Sequence, residues 1–218
     1  VKAKKCNGKT PAVRVRLDSG VSIDVTPSHL FYAAPGVWLR ADELLSTTHV
    51  ALSGRYQVAI DGRQPDTARM KALGLLIGDG CLTRSVTLTN SEDAILTEFT
   101  RCIETGWPGE VTTSLRKQTS WETYDCTVRR IDGRIFYGGN PVLLWLRALG
   151  VFGQVAITKS IPNIALNDIE AVSLLAGLLL TDGSVDKDRQ VISFATASDK
   201  LVQQVVALGM RFGADGGI

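Results

Sequence analysis

Two Asp-Gly pairs, Asp79-Gly80 and Asp182-Gly183, each close an apolar run, and they stand 103 residues apart. Laid over one another at that offset, Leu73–Gly80 and Ala176–Gly183 agree at five of eight positions: Gly74/Gly177, Leu75/Leu178, Leu76/Leu179, Asp79/Asp182 and Gly80/Gly183. This marks an internal duplication with a period of about 100 residues. A carboxylate in the last turn of a helix faces the negative end of the macrodipole, which costs about 0.3–1 kcal/mol. One Asp-Gly pair is an ordinary helix stop; the same unfavourable choice made twice in matched register argues for function. If the two helices pack side by side in parallel, the carboxylates meet at one end of the contact. They repel unless cations bridge them. Oxygen-only ligands open to solvent suit Mg²⁺, and two or more such divalent ions can activate water and stabilise the leaving oxygens of a phosphodiester.

The elements that must carry these acids are legible. Apolar residues fill nearly the whole circumference of the run from Ala68 to Gly78, which predicts a helix buried on most sides, with Asp66 or Thr67 as its cap. Gly74, Gly78 and Gly177 are small enough to let two backbones approach, and Gly74 and Gly177 are assigned to the helix interface. A strand near Val86–Thr89, a helix capped by Ser91-Glu92-Asp93 and running to about Glu104, strands Val111–Lys117 and Tyr124–Ile131, and a helix opened by Asn140-Pro141 and ended by Gly150 complete a first repeat. The pattern then restarts. Asn167-Asp168 caps a helix over Ile169 to Thr181, a strand covers Val191 to Ala195, and Ser198 caps a helix to about Gly209.

Leu73-Gly74-Leu75-Leu76-Ile77-Gly78-Asp79-Gly80 and Leu175-Ala176-Gly177-Leu178-Leu179-Leu180-Thr181-Asp182-Gly183 resemble the two dodecapeptides of LAGLIDADG homing endonucleases. Gly78 and Thr181 stand where that family often has Ala. The resemblance covers about residues 66–215. It implies that the two helices form a pseudo-dyad interface and that Asp79 and Asp182 are catalytic, each serving one DNA strand. It also implies that Asp79 and Asp182, with Gly78 and Thr181, form the metal-binding set. Lys159-Ser160-Ile161-Pro162 resembles the Lys-x-Ile-Pro element before the second motif of intein endonucleases, which brings Lys159 into the catalytic set. The strands after each motif helix form the family's DNA-facing saddle, with Arg116, Lys117, Arg129, Arg130 and Arg134 as candidates for phosphate and groove contacts. For any one of them a solvated strand face is the competing assignment.

A second constellation lies upstream. Val13-Arg14-Val15-Arg16-Leu17 and Val21-Ser22-Ile23-Asp24-Val25 alternate around Asp18-Ser19-Gly20, which predicts two strands and a turn. Thr26-Pro27-Ser28-His29 follows, then an amphipathic piece from Trp38 to Leu45 and a strand-like His49-Val50-Ala51-Leu52. Residues 56–66 read as a polar connection ending in Pro65-Asp66. This run resembles the N-terminal half of an intein's Hint splicing domain, and inteins of bacterial replicative DNA helicases are especially similar. The resemblance implies that His29 donates a proton to the leaving amide nitrogen in the N–S acyl shift, a task suited to an imidazole, and that Thr26 helps hold the scissile bond. Cys6 is read as an ordinary cysteine. Val1 in place of Met, and the abrupt Gly216-Gly217-Ile218, lead to the expectation of a fragment lacking both splice junctions.

Composition sets limits without deciding function. The net charge is only +2, with eight Lys/Arg against four Asp/Glu in residues 1–60 and four against seven in 166–218, so DNA contact must come from local basic stripes. Four cysteines with no Cys-x-x-Cys pair and two histidines argue against a zinc site and for reduced thiols in a cytoplasmic setting. No apolar run reaches the roughly 18 residues of a membrane span. The expectation is an α/β (α+β) chain: a partial all-β Hint domain at 1–60, then a two-repeat endonuclease of αββαββα type at 66–218, with repeat one at 66–150 and repeat two, truncated, at 167–218. Its partners would be a double-stranded DNA target and flanking host segments (exteins), possibly of a replicative helicase, with no membrane and a monomeric state. A non-cleaving DNA-binding regulator with a degenerate fold, or a free-standing homing endonuclease, are the rivals. Both acids argue against the first, and residues 1–60 against the second.

Overall fold

The computed structural model describes residues 8–18, 20–51, 64–119, 121–133 and 139–214. Cys6, Leu52, Arg134 and residues 56–63 of the polar connection lie outside them. The chain divides into two compact units, one from Val1–Tyr56 with Gly209–Ile218 and one from Gln57–Leu208. The fold is α+β: the described residues form five α-helices and small antiparallel sheets.

The described residues of the first unit form two hairpins. β1 (Val13–Arg16) pairs antiparallel with β2 (Ser22–Val25), and the turn between them is closed by Gly20 N–H to Leu17 O at 2.9 Å. Gly20 sits at φ +85°, a region open to glycine. β3 (Leu30–Ala33) pairs with β4 (Val37–Arg40), so the amphipathic piece expected over Trp38–Leu45 divides into a strand and a single 3-10 turn at Ala41–Glu43. Of the strand expected from His49, the described residues keep one bridge, Val50 to Ala33.

The second unit is organised around α1 (Thr67–Asp79), capped by the Asp66 carboxylate, which accepts from Arg69 N. Met70 and Ala72 through Ile77 are all buried. A helix apolar on every side needs neighbours on every side, and α1 has them: α4 (Asp168–Asp182), α2 (Asp93–Gly106) and the start of the sheet. That sheet runs β5 (Gly80–Cys81), β6 (Thr87–Asn90), β8 (Tyr124–Arg130), β7 (Val111–Lys117), all antiparallel. α2 lays Ile95, Phe99, Cys102 and Ile103 inward at helical spacing. α3 (Pro141–Ala148) is capped by Asn140, whose side chain accepts from Val142 N and donates to Val128 O at 3.1 Å. The second repeat contributes α4, the hairpin of β9 (Gly183–Asp186) and β10 (Val191–Phe194), and α5 (Asp199–Met210). α5 starts as expected from Ser198, whose hydroxyl accepts from Leu201 N at 3.2 Å.

α1 and α4 touch backbone to backbone. A Cβ on Gly74 would stand 2.3 Å from Leu174 O and 2.9 Å from Gly177 Cα; one on Gly177 would stand 2.4 Å from Lys71 O. No other residue fits either place. At the far end the wholly buried Glu170 accepts from Asp66 N at 3.0 Å and from Asn167 N at 3.1 Å. One carboxylate thus closes the N-termini of both motif helices. Gly80 and Gly183 do not end their helices in the left-handed conformation expected of a glycine stop. Both are extended (φ −73° and −91°), and glycine is needed because a Cβ would meet Leu76 O or Leu179 O at 2.3 Å.

Candidate active site

The contacts Asp66–Glu170, Gly74–Gly177 and Gly78–Thr181 run in the same order along both helices, so α1 and α4 are parallel and their C-termini share an end. There the carboxylates converge. A Cβ on Gly78, the neighbour of Asp79, would lie 3.0 Å from Asp182 Oδ2 and 1.9 Å from Thr181 Oγ1. Burial pushes the Asp182 pKa up, the charge of Asp79 pushes it further, and Lys159 opposes both. Asp79 Oδ2 accepts from Asn90 Nδ2 at 2.8 Å.

Lys159 reaches this end from outside the helix pair. Its Nζ donates to the Gly78 carbonyl. Burial lowers its pKa, and the negative charges of Asp182 and Asp79 raise it back in part. The segment that holds it is clamped. Ser198 Oγ donates to Lys159 O at 2.8 Å, and Gln204 of α5 bonds both the N–H and the carbonyl of Ile161 at 2.8 Å. Such a double clamp removes the backbone freedom that a long lysine side chain would otherwise amplify. A cleft of about 410 Å³ opens here, lined by Ile77, Gly78, Ala156, Lys159, Asp182, Ala195, Thr196 and Ala197.

Residues 170–218 match the LAGLIDADG-like domain family. The chain carries a LAGLIDADG-like domain. It is also similar to proteins named replicative DNA helicase DnaB. It is 33% identical over 217 residues to that of Rhodothermus marinus, covering 95% of this chain and 23% of that protein. It is 31% identical to that of a Nostoc species, with 94% and 24% covered, and 26% identical to that of a Synechocystis species, with 95% and 24% covered. The chain spans about a quarter of the length of these curated relatives. Both findings, with the paired motifs, support an intein with a LAGLIDADG endonuclease.

Asp79 and Asp182 offer the donor chemistry that suits a hard divalent cation: carboxylate oxygens, with Asp182 half-buried and raised in pKa by the charge of Asp79. Among the described residues no group of three or more His, Cys, Asp or Glu side chains surrounds a common point. Further ligands would therefore be main-chain, water or phosphate oxygens. Of the two other residues assigned to this set, Gly78 offers a carbonyl that already accepts from Lys159. Thr181 turns its hydroxyl back to Leu178 O at 2.9 Å.

The four basic candidates among the described residues do not form one surface. Strand register pairs Arg116 with Asp125 and Thr112 with Arg129, so Arg116 and Arg129 share the face opposite the buried Cys126 and Val128. Both are exposed. Lys117, opposite Tyr124, and Arg130, opposite Val111, belong to the other face. Arg130 holds Asp132 at 2.8 Å and the Gly139 carbonyl at 2.9 Å. In the first unit Thr26 and His29 are the ends of one turn, closed by His29 N–H to Thr26 O at 2.9 Å and fixed to the following segment by Ala41 N–H to His29 O at 2.8 Å. Both are exposed, and the His29 ring meets Phe31 edge-on at 5.2 Å.

Sequence reasoning missed Asn90 and Thr196. Each stands three residues before the first residue of the helix that follows its hairpin, Asp93 or Asp199. Aligning the repeats on those second helices, rather than on the motifs, would have paired them.

Proposed function

We propose that this chain is part of an intein whose LAGLIDADG domain makes site-specific double-strand cuts in DNA, with Asp79 and Asp182 each serving one strand. The observation that carries this reading is the meeting of two carboxylates and one clamped lysine at the shared end of a glycine-joined helix pair. A divalent cation held by Asp79 and Asp182 would neutralise the charge that builds on the phosphate oxygens during hydrolysis. Asp182 and Asp79, fixed at their helix ends, would hold that cation in place. Lys159, with its ammonium among the carboxylates, presents a donor that can stabilise an oxyanion at the leaving side. Arg116 and Arg129 supply phosphate contacts from the exposed face of the first repeat's sheet. Thr26 and His29 belong to the splicing part, where His29 acts on the leaving amide nitrogen. Residues 1–60 then belong to the splicing domain and residues 66–218 to the endonuclease.

The test uses the full-length protein. Asp79→Asn and Asp182→Asn each abolish linearisation, with Mg²⁺, of a plasmid carrying the coding sequence joined without the insertion. They leave precursor-to-product conversion on a gel intact. His29→Ala does the reverse, slowing the first acyl shift by about 10²–10⁴-fold. Asp79→Asn blocking splicing as strongly as cleavage would overturn the division of labour. A non-cleaving DNA-binding protein would leave the plasmid intact in the wild type.

A further inference from the structure

The two carboxylates are held differently, and the difference follows from an equivalence that the motif alignment hides. β5–β6 pairs Gly80 with Leu88, and β9–β10 pairs Gly183 with Phe194. Leu88 and Phe194 therefore correspond, and two residues on, Asn90 and Thr196. The same offset of 106 joins Asp93 and Asp199, the first residues of α2 and α5. Both residues share one local role. Asn90 Oδ1 accepts from Glu92 N at 2.8 Å, and Thr196 Oγ1 accepts from Ser198 N at 3.3 Å. Asparagine has a second arm. With Oδ1 fixed as the acceptor, the amide must present Nδ2 on its other side, and Nδ2 donates to Asp79 Oδ2 at 2.8 Å. Threonine offers a single oxygen, and Thr196 lies in the cleft beside Asp182 and Lys159.

We propose that Asn90 is a positioning residue for Asp79 alone, so that the two half-sites are chemically unequal and one DNA strand depends on Asn90 while the other does not. The inference rests on the endonuclease reading above. Its physical basis is rotational. One oxygen of Asp79 is pinned by a neutral donor anchored to the α2 N-terminus, which fixes the carboxylate plane and leaves the other oxygen to ligate or orient. Asp182 instead lines the cleft with Lys159 and Thr196, and the charge of Lys159 opposes the effects of burial and of Asp79 on it.

The test is Asn90→Thr, in the full-length protein. This substitution copies what the second repeat already uses, so the acceptor for Glu92 N is retained and only the donor to Asp79 is lost. Two substrates are used: the plasmid named above in supercoiled form, which reads nicked circles, and a linear duplex carrying the same site, end-labelled on one strand or the other, which reads each strand's rate. Asn90→Thr should slow one strand by about tenfold or more while the other keeps its rate, so that nicked circles accumulate. The slowed strand should be the one left uncut by Asp79→Asn. The Mg²⁺ concentration giving half-maximal thermal stabilisation, measured without DNA, should rise severalfold. Equal slowing of both strands, an unchanged strand ratio, or slowing of the strand served by Asp182 would overturn the inference while leaving the endonuclease reading standing. A wild-type protein that leaves the plasmid intact would overturn both.

Discussion

Asp182 is placed where a carboxylate is unwelcome. It ends a helix, it is half-buried, and burial and the charge of Asp79 both raise its affinity for a proton more than Lys159 lowers it. An amide of the same shape removes the charge without opening a gap. Asp182→Asn should therefore stabilise the protein in EDTA by about 0.5–1 kcal/mol, or roughly 2–3 °C in a melting curve. Added Mg²⁺ should raise the wild-type Tm more than that of the variant, closing the difference. A variant that melts below the wild type in EDTA would mean that the carboxylate is a structural acceptor. Asp79 is in a different situation, because Asn90 donates to it at 2.8 Å.

The motif helices fit by complementary deletion of side chains. Gly78 leaves the space that Thr181 fills: a Cβ there would stand 1.9 Å from Thr181 Oγ1. The two departures from the family's usual Ala are thus one compensated pair. Gly78→Ala alone should destabilise by about 1–3 kcal/mol through overpacking. Adding Thr181→Ala should recover at least about 1 kcal/mol, a coupling measured by a double-mutant cycle in chemical denaturation. Strict additivity would show that the helices part freely. α1 is also tied to α2 by charge. Glu98 accepts from Lys71 at 2.7 Å and from Arg101 at 2.7 Å, and Arg101, with Lys71 assisting against burial, holds its carboxyl at about 2. A depressed acid pKa adds stability that is fully present above the unfolded value near 4.3 and is lost as pH falls towards 2. Acid titration of the wild type should therefore show a stability loss on the order of 1–2 kcal/mol across that window, discounted for the exposed Arg101, that Glu98→Gln lacks. Parallel acid profiles for the two proteins would remove Glu98 from the account.

At the scale of the whole endonuclease unit, the duplication is joined at both ends: by the acid-bearing termini, and by Glu170, whose buried carboxylate accepts from Asp66 N and Asn167 N. Glu170→Ala should destabilise by about 1–3 kcal/mol, since it strands part-buried donors at two helix starts. Glu170→Gln, which keeps one acceptor, should recover part of this in the same denaturation experiment. Equal midpoints for wild type and Glu170→Ala would show that other contacts hold the repeats. Much of this unit was legible in the linear chain. Apolar periodicity, caps and Gly-Asp-Gly spacing gave α1, α4, the strands of the first repeat and the acids at matched helix ends, because these depend on residues within a few turns of each other. Lys159 was legible through its Lys-Ser-Ile-Pro run, but its place at the Gly78 carbonyl depends on Gln204 and Ser198, which hold the segment from α5. The pairing of Asn90 with Asp79 was hidden because the β9–β10 hairpin is longer than β5–β6, which moves the equivalence from an offset of 103 to one of 106. The basic candidates are assigned to the saddle strands as one set by the family resemblance, and the sheet divides the four that are described. Side chains alternate across a strand, so a one-residue step decides the face, and only the β7–β8 register puts Arg116 with Arg129 and apart from Lys117 and Arg130. Local chemistry was fixed by order along the chain; which groups meet was decided by hairpin length and strand register, distances that no linear spacing contains.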